Sequence, residues 1–146
     1  MTKKAMAGAL LALLAAALPL RAEMPTAVEF TDHVTGDGPE LRRGWFAVMH
    51  YAGWVYDEAA PEHKGHKFVD SRGGQSKTFV YGYYRAIEGL ERGMRGMKVG
   101  GKRTIVVPPK LGYDGLKYQQ PKDVPPKSAL VFEIELLDVV PQHNSN

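Results

Sequence analysis

His63 and His66, three residues apart and beside Glu62, are the side chains whose types and spacing come nearest to metal chemistry. They lie in a polar stretch, Asp57 to Lys67, that also holds Pro61 and Gly65, and a solvated loop accounts for them without a metal; none is expected. His50 sits inside an apolar run and reads as a structural histidine with a hydrogen-bond partner, not as a base. There is no glycine-rich phosphate loop, nucleophile elbow or HExxH pattern. With no cysteine, thiol catalysis and disulfides are excluded. What remains is aromatic and aliphatic. Tyr51, Phe68, Phe79, Ile87, Leu90, Tyr113 and Phe132 fall on segments that would converge if a sheet curled around a short helix. Tyr113 stands apart, because it follows Gly112 in a loop where a core residue is not expected. Such a set offers no covalent step; it can seat a small apolar group and exclude water.

The elements that must position these side chains are mostly strands. Val28 to His33 predicts a first strand, closed by the turn Thr35-Gly36-Asp37-Gly38-Pro39. Trp45 to Trp54 predicts a second, with Trp45, Ala47, Met49 and Tyr51 on one face and Phe46, Val48 and His50 on the other. Apolar on both faces, it belongs in the middle of a sheet. Short strands are predicted at Lys67 to Val69 and Lys77 to Tyr81 around the turn Arg72-Gly73-Gly74-Gln75-Ser76. Ile87, Leu90 and Met94 recur at helical spacing and predict one helix, Tyr84 to Met94; Gly89 inside it costs about 1 kcal/mol relative to alanine, so packing must hold it. Lys102 to Val107 and Leu130 to Val140 are the last strands, with Lys102-Arg103 read as an exposed strand end. Many strands and one short helix define an α+β domain.

Composition bounds the function. The 146 residues suit one domain. Lys3-Lys4, the apolar run Ala5 to Leu20 and the small residues near Ala22 form the pattern of a cleaved secretory signal, residues 1–22, leaving 23–146 as a single domain in the periplasm or outside the cell. The run is too short for a stable membrane anchor. Three of the 19 basic residues, Lys3, Lys4 and Arg21, lie in that segment; without them basic and acidic side chains balance at 16 each. A formally neutral chain gives no electrostatic argument for a nucleic-acid partner.

The order of motifs is recognisable. Gly36-Asp37-Gly38, Val48 to Gly53, Gly65-His66-Lys67-Phe68, Phe79-Val80-Tyr81-Gly82 and Ala86 to Gly93 are followed by Met97 to Arg103, Leu111-Gly112-Tyr113, Val124-Pro125-Pro126 and Leu130 to Leu137. Over roughly Val28 to Val140 the chain resembles the FKBP-type peptidyl-prolyl cis-trans isomerases. The resemblance implies a curled antiparallel sheet of five or six strands around one short helix, and an enzyme that rotates X-Pro bonds and assists folding without a cofactor. It implies a proline pocket walled by Tyr51, Phe68, Ala86, Ile87, Tyr113 and Phe132, with Leu90 at the floor where the family usually has tryptophan. Its implied partners are proline-containing polypeptides and macrolide inhibitors. The Tyr113 hydroxyl would hold a substrate carbonyl and the Ile87 N–H would anchor the peptide. The family's acidic residue directly follows the phenylalanine; here Val69 does, and Asp70, the carboxylate assigned to the catalytic set, comes one later. That shift turns a strand side chain to the opposite face unless a bulge restores it. Lys77 replaces the first of two phenylalanines, the loop 57–66 is longer than usual, and 114–123 is rewritten. A second reading keeps the pocket and drops turnover: a non-catalytic chaperone or peptide-binding module.

Overall fold

A computed structural model describes residues 23–115 and 119–143. The proposed signal segment, 1–22, lies outside the described residues. Six strands form one antiparallel sheet: β1 (Glu29–Val34), β2 (Phe46–Tyr56), β3 (Lys64–Asp70), β4 (Lys77–Val80), β5 (Lys102–Val107) and β6 (Leu130–Val140). One helix, α1 (Glu88–Gly93), crosses its inner face. The strand order is β1-β5-β6-β2-β3, with β4 also on β2. β2 is central, as its two apolar faces predict. One edge pairs with β6 from Phe46 to Val55; the other is shared by β4, opposite Phe46 to Met49, and β3, opposite Ala52 to Tyr56.

Alternation fills the core, broken once in β6 where a register shift after Leu136 turns Val139 inward. Met49 faces Leu136, Gly53 faces Phe132 and Ile105 faces Phe132, so the inner faces of β2, β5 and β6 meet the helix residues Leu90 and, just beyond it, Met94. Phe132, Leu130, Ile134, Leu136, Ile105 and Val107 are all buried there. Burying a side chain of this size stabilises the fold by about 1.5–3 kcal/mol. Gly53 is required at its place: a Cβ would come within 2.8 Å of the Phe132 ring and 2.9 Å of the Phe68 ring.

Three expectations need correction. The helix is six residues, not Tyr84 to Met94. Tyr84 has φ +52° and Gly82 φ +92°, both left-handed, and Ile87 is extended at ψ 129°, so helical backbone begins only at Glu88. The apolar stripe survives because Ile87, Leu90 and Met94 are buried all the same. Gly89 and Gly93 let the helix approach β5: added Cβ atoms would lie 2.4 Å from Val107 Cγ1 and 2.3 Å from Ile105 Cγ2. β3 begins at Lys64, three residues early, because β2 continues to Tyr56 and offers Lys64 a partner across the turn Pro61–His63. Arg103 is no exposed end. Sharing the inner face with Ile105 and Val107, it is 6% exposed. Its guanidinium forks onto Asp32 of β1 at 2.7 and 3.1 Å and donates to the carbonyls of Gly93 and Arg95, both at 2.8 Å, capping the end of α1.

Candidate functional site

Between β2, β4, the start of α1 and the loop after β5 lies an open cavity of about 250 Å³. Its deep wall is Met49 and Tyr51 of β2, Phe132 of β6 and Leu90 of α1; Ala86 and Ile87 form one side and Tyr113 the other. Lys77, Thr78, Phe79 and Gln119 complete the rim. Six of the eight side chains expected from the sequence therefore border one space: Tyr51, Ala86, Ile87, Leu90, Tyr113 and Phe132.

Phe68 stands behind this wall. Its ring meets Tyr113 and Phe132 edge-on, with centroids 5.9 Å away in both cases, and Tyr51 tilts against Phe132 at 6.4 Å. Edge-to-face packing of this kind adds about 0.5–1.5 kcal/mol per pair beyond burial and fixes the rings. Burial pushes the Tyr113 phenol up to about 12, with Tyr51 and Asp123 adding to the shift, and raises Tyr51 as well. Both hydroxyls are protonated donors at neutral pH. The Ile87 N–H lies at the helix entrance and has no acceptor among the described residues.

Asp70 does not join them. β3 carries a bulge: Gly53 pairs with Val69 and Trp54 with Lys67, leaving Phe68 unpaired between. Phe68 and Val69 both turn inward over Gly53, where the Val69 methyl lies 2.9 Å from a virtual Cβ. The next residue, Asp70, therefore points outward. There its carboxylate accepts from Arg72 N and Nε at 2.9 and 3.0 Å, Arg72 Nη2 at 2.9 Å and Lys67 Nζ at 3.0 Å. The bulge exists, but it brings a valine and not the carboxylate to the inner face. Lys64, Lys67 and Arg72 lie over Trp54 on the same outer side.

The histidines have separate engagements. His63 stacks on Tyr56 at 4.9 Å, His66 Nε2 meets Asp123 at 2.8 Å, and His50 Nδ1 meets Ser71 Oγ at 3.1 Å. No group of three potential metal ligands is arranged among the described residues.

One residue of the site escaped the sequence reading. Glu91, 1% exposed, turns its carboxylate under the segment before α1 and accepts the backbone N–H of Gly82 at 2.9 Å and of Tyr84 and Ala86 at 3.0 Å. It holds the backbone that delivers Ala86 and Ile87 to the cavity. The sequence reading gave Glu91 no role; the one hint was its place four residues after Ile87 and next to Leu90, inside the apolar stripe.

Two larger depressions, about 370 and 340 Å³, lie elsewhere. Arg43, Arg92, Arg95 and Glu40 dominate the first, and Arg72, Arg103, Glu133 and Glu135 the second. Size does not decide between them. Leu41, Tyr81 and Tyr84 also border the first, but among five charged side chains; the smaller cavity is walled by aromatic and aliphatic groups that can seat an uncharged ring, with Lys77 its one charged side chain among the described residues.

Comparison with known proteins gives the same direction. Residues 38–137 match the family described as FKBP-type peptidyl-prolyl cis-trans isomerase. An FK506-binding protein of Neisseria meningitidis serogroup C is 36% identical over 105 residues, 70% of this chain and 86% of that protein. Human peptidyl-prolyl cis-trans isomerase FKBP14 is 36% identical over 100 residues, 68% of this chain; the chain spans 44% of that protein's length. Among solved structures, FkpA from Escherichia coli superposes with a TM-score of 0.63 at 33% identity, over 78% of this chain and 48% of that one. AtFKBP13 superposes at 0.64 with 32% identity, over 79% and 94%. The six-stranded sheet with its single short helix is thus the family's fold in sequence as well as in shape, and the chain belongs to the FKBP-type peptidyl-prolyl cis-trans isomerases.

Proposed function

We propose that the chain is an exported peptidyl-prolyl cis-trans isomerase that rotates X-Pro bonds of folding polypeptides. The observation that carries this reading is the open apolar cavity bordered by Tyr51, Ile87, Tyr113 and Phe132. Rotation must break the resonance of a planar amide, a barrier of about 18–20 kcal/mol. No covalent step is needed. The twisted amide is less polar than the planar one, so a dry wall of aromatic rings destabilises the ground state relative to the transition state. The Tyr113 hydroxyl donates to a substrate carbonyl, the Ile87 N–H anchors the chain, and the rings seat the prolyl side chain. Each ~1.4 kcal/mol of differential stabilisation is about tenfold in rate. FK506, which the name of the Neisseria relative attaches to that protein, is the ligand expected to compete for the cavity.

A protease-coupled assay of residues 23–146 on a prolyl peptide tests this: isomerisation should accelerate in proportion to protein and slow when FK506 is added. A rate equal to the uncatalysed one, with peptide binding intact, would establish instead the second reading, a non-catalytic peptide-binding chaperone. That reading draws on the outward turn of Asp70, which leaves the cavity without a carboxylate.

A further inference from the structure

We infer that Lys77 makes the cavity selective for prolyl segments with an aspartate or glutamate next to the proline. The inference rests on the prolyl-binding reading above and names the substrate class of that site.

The register fixes where Lys77 points. It pairs with Met49 on β2, as Phe79 pairs with Ala47, and both partners are core residues of the inner face. Side chains of directly opposed residues share a face, so Lys77 stands on the cavity side of β4. It borders the space itself. Of the described side chains bordering the cavity, Lys77 alone is charged; the others are apolar, phenolic, hydroxyl or amide groups. Among the described residues no carboxylate lies within ion-pair distance of its ammonium. Asp70 and Glu133 are paired with Arg72 on the outer face, and Asp123 is paired with His66.

An aliphatic stem against an apolar wall with a free ammonium at the mouth is a familiar arrangement for lysine. Lys77 is exposed, so its ammonium attracts a carboxylate modestly, and salt weakens that attraction. The long flexible stem places its charge at the rim, where the chain adjoining a seated proline must pass. The side chain next to the proline is the nearest one it can meet. A lysine or arginine in the same place on the substrate would be repelled.

The test compares peptides Ala-Xaa-Pro-Phe with Xaa glutamate, glutamine, leucine or lysine, their exchange followed by NMR so that no protease contributes its own specificity. Glutamate should exceed its isostere glutamine in kcat/KM by about 1.5- to 5-fold at low salt, the range expected of a partly exposed ion pair. The ratio should fall towards one in molar salt and vanish in Lys77→Met. In Lys77→Glu the lysine peptide should overtake the glutamate one. Equal rates for glutamate and glutamine with the native chain, or a preference that persists in Lys77→Met, would overturn the assignment. If no peptide turns over, the isomerase reading fails separately. Titrating the same peptides for binding then decides Lys77, with equal affinities for glutamate and glutamine counting against it.

Discussion

Tyr113 carries the most specific residue-scale claim about the reaction itself, because its hydroxyl is the side-chain group proposed to hold a carbonyl of the reacting segment. Tyr113→Phe removes one hydrogen bond to an uncharged carbonyl, worth about 0.5–1.5 kcal/mol, so kcat/KM should fall roughly 2- to 12-fold with the urea midpoint nearly unchanged. An unchanged rate would remove Tyr113 from the mechanism. Phe132→Ala should act differently: the ring is 1% exposed and contacts both Tyr51 and Phe68, so truncation should cost about 3–5 kcal/mol of stability as well as activity. These side chains were legible in the sequence because aromatic residues on alternating strands, and one in a glycine-flanked loop, have few places to go. Asp70 was legible in part: its one-residue shift raised the opposite face, but the bulge at Phe68 that decides which residue turns inward leaves no mark in an alternation already short and mixed.

At the scale of elements, β5 and β6 followed from alternation residue for residue and β1, β2 and β4 to within two, whereas β3, expected over three residues, spans seven, and the helix boundary did not follow. The apolar period continued back to Ile87, but the backbone before Glu88 is shaped by a tertiary hydrogen-bond acceptor that no local pattern announces. The Glu91 carboxylate holds three N–H groups and keeps Tyr84 at a positive φ that costs a non-glycine residue about 1–3 kcal/mol. Glu91→Ala should therefore lose about 2–4 kcal/mol and raise KM for prolyl peptides as Ala86 and Ile87 shift; hydrogen exchange should quicken first at Gly82 to Ala86. Glu91→Gln, which keeps one acceptor, should lie between. Gly89→Ala pits two known quantities against each other. Helix propensity favours alanine by about 1 kcal/mol, while a Cβ 2.4 Å from Val107 Cγ1 is overpacking worth about 1–3 kcal/mol. The clash is with a buried strand that cannot recede, so the variant should be net destabilised; a gain in thermal stability would show that α1 can slide on β5.

For the whole molecule, the sheet separates two electrostatic worlds, and pH should reveal them independently. On the outer face Arg72, then Lys67, hold the Asp70 carboxyl well below its usual range; in the loop before β6, His66 lowers Asp123. Burial alone would raise Glu133, but Lys64 and Arg72 outweigh it and its pKa is lowered. A carboxylate whose folded pKa is depressed contributes stability above its unfolded value, near 4, and loses it as pH falls further towards the folded one. Urea midpoints should thus decline below about pH 4, and Asp70→Asn should flatten that decline. The inner face behaves oppositely. Tyr113, pushed up to about 12, favours folding while protonated, so its contribution is complete below the unfolded value near 10 and fades between there and 12. Among the described residues no histidine or carboxylate borders the cavity, and the phenols stay protonated throughout the neutral range. For a substrate without ionisable side chains, kcat/KM should therefore be level from about pH 5 to 9, while stability bends only at the extremes. A rate limb near pH 6–7 would implicate a histidine that the structure places on other contacts, and would refute catalysis by the apolar wall.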